Sequence, residues 1–199
     1  MQSNLNCLQI SFATFFSKYN LCLKLKQTTM QNIEVFSYPP SSSIILNNFG
    51  KVDYCDSYKA YLPKRISVDL LAKEMFATKS WTDKLLDFRN FVVRIFGLKT
   101  TGWRQVQSEM PYKAGNKVGI FTVECRNEQE IVMAENDKHL NFKTSVLASV
   151  NETGMDLYFT TIVHFNNIWG RLYFIPVKPF HRLILISSIN RIIKKNESL

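Results

Sequence analysis

The chain has 199 residues, 46% hydrophobic and 21% charged, which fits one globular domain plus a tail. Its net charge is +9, but the excess is diffuse and accompanies no nucleic-acid-binding motif, so nucleic acid is not an expected partner. No apolar run approaches the roughly 18–20 residues of a membrane span, which argues against stable membrane insertion.

Residues 1–29 carry Lys18, Lys24 and Lys26 and no acid. Their apolar patch, Ile10 to Phe16, has no basic residue before it and no small-residue cleavage site, so it does not read as a secretory signal. Met30 opens a segment with more start-like character. The expectation is a flexible or non-native extension over 1–29 and a single domain over 30–199, with its core at about 45–195. Cys7, Cys22, Cys55 and Cys125 are far apart, with no CxxC and no Cys/His pair at zinc spacing. They read as free thiols in a reducing compartment, hence a cytoplasmic protein.

Pro39, Pro40 and Ser41 to Ser43 mark a linker or turn. Next, Val52, Tyr54, Asp56 and Tyr58 alternate with Asp53, Cys55, Ser57 and Lys59, predicting an edge strand stopped by Pro63. Ser67 is placed to cap a helix with Leu70, Leu71, Met75 and Phe76 at helical spacing. Thr82 is placed to cap a second, longer helix with Leu85, Leu86, Phe88, Val92, Ile95 and Phe96 on its apolar face, ended by Gly97.

The period then becomes two. Four strands follow, marked by Gly119 to Cys125, Ile131 to Glu135, Leu140 to Ala148 and Met155 to Phe165, with turns at Asn127-Glu128 and at Asn151 to Gly154. They form an antiparallel meander with one apolar face to cover. Pro179 suits the first turn of a terminal helix whose Leu183, Ile184, Ile186, Ile189, Ile192 and Ile193 supply that cover. A basic amphipathic helix can also lie on a membrane, but the sheet needs this partner, so core packing is the preferred reading. The predicted class is α+β: a helix-grip fold, with a curved antiparallel sheet wrapped around a long C-terminal helix and two helices between the first and second strands.

Three motifs carry a resemblance: DYCDSYKAYLP, ENDKHLNFKTSVL and HFNNIWGRLYFIPVKPFHRLI. The chain resembles domain-of-unknown-function family 2867, associated with the START-like (Bet v 1-like, polyketide cyclase-like) superfamily. The resemblance implies an apolar pocket between sheet and helix. It carries over no catalytic residues, so the catalytic set stays unknown. Some relatives appear fused behind a short-chain-reductase Rossmann domain, which makes a separate reductase a possible partner. This sequence has no GxGxxG of its own, and no cofactor is expected.

The pocket residues expected on this basis are Phe121, Phe142, Phe159, His164, Tyr173, Phe174 and His181, and the expected ligand is an apolar small molecule, a lipid or an aromatic metabolite. Against binding stands an enzyme of the cyclase, isomerase or hydrolase kind, with His139, His164 or Glu135 as the titratable group. The histidine spacing matches no metal pattern, so no metal site is expected. His164 lies on the strand face opposite Phe165. Asp137 and Asp156 read as strand-end surface charge, and Asn166-Asn167 as a turn.

Overall fold

Repeated period-two alternation builds one seven-stranded antiparallel sheet, seen here in a computed structural model that describes residues 33–76, 109–119 and 121–198. The strands are β1 (Ile33–Phe36), β2 (Tyr54–Leu62), β3 (Lys117–Val118), β4 (Phe121–Arg126), β5 (Glu130–Asn136), β6 (Leu140–Val150) and β7 (Met155–Phe165). Helix α1 spans Val68–Phe76, and the C-terminal helix α2 spans Ile168–Ser198. The spatial order is β1-β2-β7-β6-β5-β4-β3. The sheet curves and the long helix covers one face, so the chain has the predicted α+β helix-grip fold. The chain divides into two units, Met1–Asn32 and Ile33–Leu199, and all described residues belong to the second.

Three expectations need correction. The strand at Tyr54 is not an edge: β2 pairs with β7 along its full length and with the short β1 on its other side. Its polar outer residues suggested an edge, but Lys59 is balanced by Asp156 on β7, 3.4 Å away. The linker or turn read at Pro39 to Ser43 does turn, with Ser43 N bonding the Pro40 carbonyl, but it leads into a strap across the back of the sheet rather than a free linker. Ile45 is fully buried there with Val132 and Ile162. Glu130 accepts hydrogen bonds from Ser43 Oγ at 2.6 Å and from Ile44 N at 2.7 Å, and Lys143 Nζ donates to the Asn47 carbonyl.

The third correction concerns the last helix, which begins at Ile168, with Pro176 and Pro179 inside it. A proline withholds an N–H from the carbonyl four residues earlier, here Leu172 and Ile175. Both residues lie on the exposed side of the helix, where a carbonyl freed by proline can turn to solvent. Asn167 caps the true start: its Oδ1 accepts from Gly170 N at 3.1 Å.

Other local readings agree with the structure. Ser67 Oγ accepts from Leu70 N at the start of α1. The turns fall at Asn127, whose N–H bonds the Glu130 carbonyl, and at Asn151, whose N–H bonds the Gly154 carbonyl. The second predicted helix, at 82–96, lies outside the described residues, as does the extension at 1–29.

The main core lies between the sheet and the two helices. Leu185, Ile189 and Ile192 of α2 meet Leu71, Met75 and Phe76 of α1 over Leu157, Phe159 and Val146. Asp69 on α1 forms a two-point ion pair with Arg126 on β4, at 2.9 and 3.1 Å, and also accepts from Tyr112 N. That ties helix, loop and sheet together.

Candidate functional site at the sheet–helix seam

Antiparallel register arranges the helix-facing side of the sheet in rows. One row reads Tyr58, Phe159, Val146, Ile131 across β2, β7, β6 and β5. The next reads Asp56, Thr161, Thr144, Met133, and the one after it Tyr54, Val163, Phe142, Glu135. A short polar row therefore lies between two mainly apolar ones, and its three polar members are buried: Asp56 at 5%, Thr161 at 4% and Thr144 at 2% exposure.

Asp56 is the centre. Its Oδ2 accepts from Tyr54 OH and Tyr58 OH, both at 3.0 Å. The three residues share a face because they sit two apart on one strand. The other oxygen, Oδ1, has no hydrogen-bond partner. Nε2 of His181, on α2, lies 3.6 Å from it, within ion-pair range but too far for a hydrogen bond. The same nitrogen is 3.2 Å from Thr161 Oγ1.

Burial by itself would push the Asp56 carboxyl up. The His181 ring and the two tyrosine hydroxyls outweigh it and hold the carboxyl below its usual value. Burial and the nearby Asp56 charge push both tyrosine hydroxyls far above theirs. The cluster therefore holds one buried carboxylate and two neutral phenols across the neutral range.

Helix α2 delivers His181 because Phe174 and His181 are seven residues apart and share a face. The Phe174 ring meets Tyr54 at 4.8 Å and Phe165 at 5.4 Å. Lys178 Nζ lies 4.9 Å from the centre of the Tyr54 ring. This half of the seam is less closed than the other. Tyr54, Phe142, Phe174 and His181 are all only partly buried, whereas Leu185, Ile189 and Ile192 are sealed.

The residues expected to line a pocket separate into groups. His181 and Phe174 reach the Asp56 cluster. Phe121, Phe142 and Phe159 share the helix-facing side of the sheet, but Phe121 and Phe159 pack on Phe76 at 5.2 and 5.5 Å and are core. Phe142 touches Phe121 at 5.8 Å and stays partly accessible. Tyr173 is on α2 and partly buried. His164 is on the opposite face, where its Nδ1 lies 2.8 Å from Asp53 Oδ2. Strand alternation thus separates it from His181.

The other acid–base candidates do not join the site. Glu135 lies three strands from β2, about 14 Å away at normal strand spacing. His139 sits in the β5–β6 turn, its carbonyl accepting from Asn166 N and its ring 3.4 Å from Asn167 Oδ1. Among the described residues no group of three His, Cys, Asp or Glu could hold a metal. Cys55 and Cys125 are free thiols, and burial pushes Cys55 up to about 11.

Sequence reasoning missed Asp56, Tyr54 and Tyr58 as site residues. The signal was a lone carboxylate inside a period-two stripe of bulky residues, which an edge-strand reading left on the surface.

No helix among the described residues is long and apolar enough to cross a membrane. No curated protein matches the chain. The family model described as "Protein of unknown function (DUF2867)" matches residues 48–187, which include β2, the whole meander and α2 as far as His181 and beyond, and the chain belongs to that family.

Proposed function

We propose that this is a START-like domain that binds an apolar small molecule, a lipid or an aromatic metabolite, at the seam between the sheet and the first half of α2. One observation carries the reading: a carboxylate that is 5% exposed keeps an oxygen without a hydrogen-bond partner, beside a partly accessible histidine and aromatic rings. A buried acceptor left unpaired costs stability, roughly 1–3 kcal/mol. A ligand hydroxyl or amine donating to Asp56 Oδ1 recovers that cost, while Tyr54, Phe142 and Phe174 take its apolar body. The ligand class is therefore apolar with one donor group.

Native mass spectrometry of the purified protein, then titration with a fluorescent fatty-alcohol analogue and with 1-naphthol, tests this. The expected result is saturable one-to-one binding, weakened about tenfold or more by Asp56→Asn, which removes the charged acceptor. No saturable binding, or equal binding by the variant, would overturn it.

A second reading rests on the Asp56–His181 pair. A partly accessible imidazole beside a buried carboxylate can exchange a proton with a bound molecule, as a cyclase, isomerase or hydrolase requires. A His181→Ala variant that binds 1-naphthol normally but loses turnover of a candidate substrate would favour it over simple binding.

A further inference from the structure

The first half of α2 carries a second face that the core does not use. Ile168, Trp169, Leu172 and Ile175 are 61%, 57%, 42% and 67% exposed. Ile168, Leu172, Ile175 and the exposed Pro179 are spaced four, three and four apart, so they form one ladder along the helix. That ladder points away from the Phe174 and His181 side, which faces the sheet. Beside it, Arg171, Lys178 and Arg182, spaced seven and four apart, form a second ladder and are also exposed. From Ile168 to Asn196 the helix holds no acid at all. Asp53 and Asp137 are acidic neighbours at this end; Asp53 already faces Lys51 at 2.9 Å and His164 at 2.8 Å, with Arg171 at 3.9 Å, and Asp137 lies in the β5–β6 turn, its carbonyl bonded by Asn166.

A solvent-exposed apolar ladder of this kind is costly in water. A tryptophan and branched aliphatics on one stripe, with cations along its margin, match the interface of an anionic bilayer, where the apolar residues enter the acyl boundary and the cations meet lipid phosphates. A second copy of this chain would bring the same cations together, and like charges repel.

We propose that this face of α2 docks the protein on anionic lipid surfaces as a peripheral, non-spanning attachment. The inference does not rest on the ligand reading: its apolar ladder lies on the side of the helix away from Phe174 and His181, and of its cations Lys178 borders the seam at Tyr54.

The test is co-sedimentation of the full chain with vesicles of phosphatidylcholine alone and of phosphatidylcholine with phosphatidylglycerol. Binding to the anionic vesicles only, weakening as salt rises, is expected. The Trp169→Ser/Leu172→Ser/Ile175→Ser variant should lose about tenfold or more of that partitioning with its melting temperature retained, and Arg171→Glu/Lys178→Glu should lose a similar amount. Quenching of tryptophan fluorescence by brominated phosphatidylglycerol reads the same contact without a disruptive change: it should fall in Trp169→Phe while sedimentation persists. Failure to bind anionic vesicles would overturn the proposal. So would undiminished quenching in Trp169→Phe, or light scattering that shows a dimer dissolved by the triple serine variant.

Discussion

Asn196, in the last turn of α2, holds Lys64 by both backbone groups: its Oδ1 accepts from Lys64 N at 3.0 Å and its Nδ2 donates to Lys64 O at 2.9 Å. The side chain is fully buried. Arg191 and Lys195 reach Glu74 at the end of α1 from the same stretch of helix. The far end of α2 is therefore clamped to the chain just beyond β2, and the seam is closed there.

Replacing Asn196 by Ala leaves both Lys64 groups without their partner. A loss of roughly 1–3 kcal/mol is expected, read by denaturant unfolding. Asn196→Asp should not restore it, because the carboxylate has no donor for the Lys64 carbonyl. An unchanged midpoint in both variants would show the clamp to be energetically idle.

The near end of α2 is held by close approach. A Cβ built on Gly170 would come 2.1 Å from the His139 carbonyl oxygen, a backbone atom fixed by the β5–β6 turn. Gly170→Ala must push the helix start from that turn and strain the Asn167 cap. The expected cost is about 1–3 kcal/mol, or several degrees in melting temperature for a domain of this size. Because His181 rides on the same helix, ligand titration should also weaken in this variant.

Ile189 faces the core and is fully buried. Ile189→Asp places an unpaired charge there and should cost about 4 kcal/mol or more. Ile189→Val removes one methylene and should cost roughly 0.5–1.5 kcal/mol. Thermal unfolding of the pair separates a core helix from an appendage, since an appendage would tolerate both changes alike.

Acid should destabilise the fold through two aspartates. Asp53 is held at about 2, first by the Phe165 backbone N–H and then by Lys51, and Asp56 is held below its usual value by His181 and the tyrosines, against the opposing effect of burial. A folded pKa below the unfolded one contributes stability that is complete above the unfolded value, about 3.9, and is lost as pH falls through the folded value. The melting temperature should therefore drop on acidification from about pH 4 towards pH 2. The Asp53→Asn/Asp56→Asn variant should show a flatter profile over that window. An equally steep fall in the variant would assign the acid sensitivity to other carboxylates.

Local pattern alone determined much of this protein. Period-two alternation located β4 to β7 and their turns, Ser67 marked the start of α1, and the isoleucines after Leu185 marked the sealing face of α2. Each of these is decided by neighbours within a turn or a strand pair, so the information is local. The short β1 and β3 carried too few residues to show a period. The start of α2 was misplaced because proline is most familiar in a first turn, and only the fold shows that Leu172 and Ile175, four residues before Pro176 and Pro179, lie on the exposed side of the helix.

The site belongs to the other class. Asp56 and His181 are far apart in the chain, and nothing near either residue announces the other. Their meeting depends on β2 pairing with β7, on the sheet's curvature, and on a helix pinned at Gly170 and Asn196. The same tertiary arrangement sent Phe159 into the core, whereas strand alternation had already put His164 on the face opposite Phe165. Which residue types are present is a property of the sequence. Which of them share a desolvated space is set by register and packing over long separations, and only the folded chain decides it.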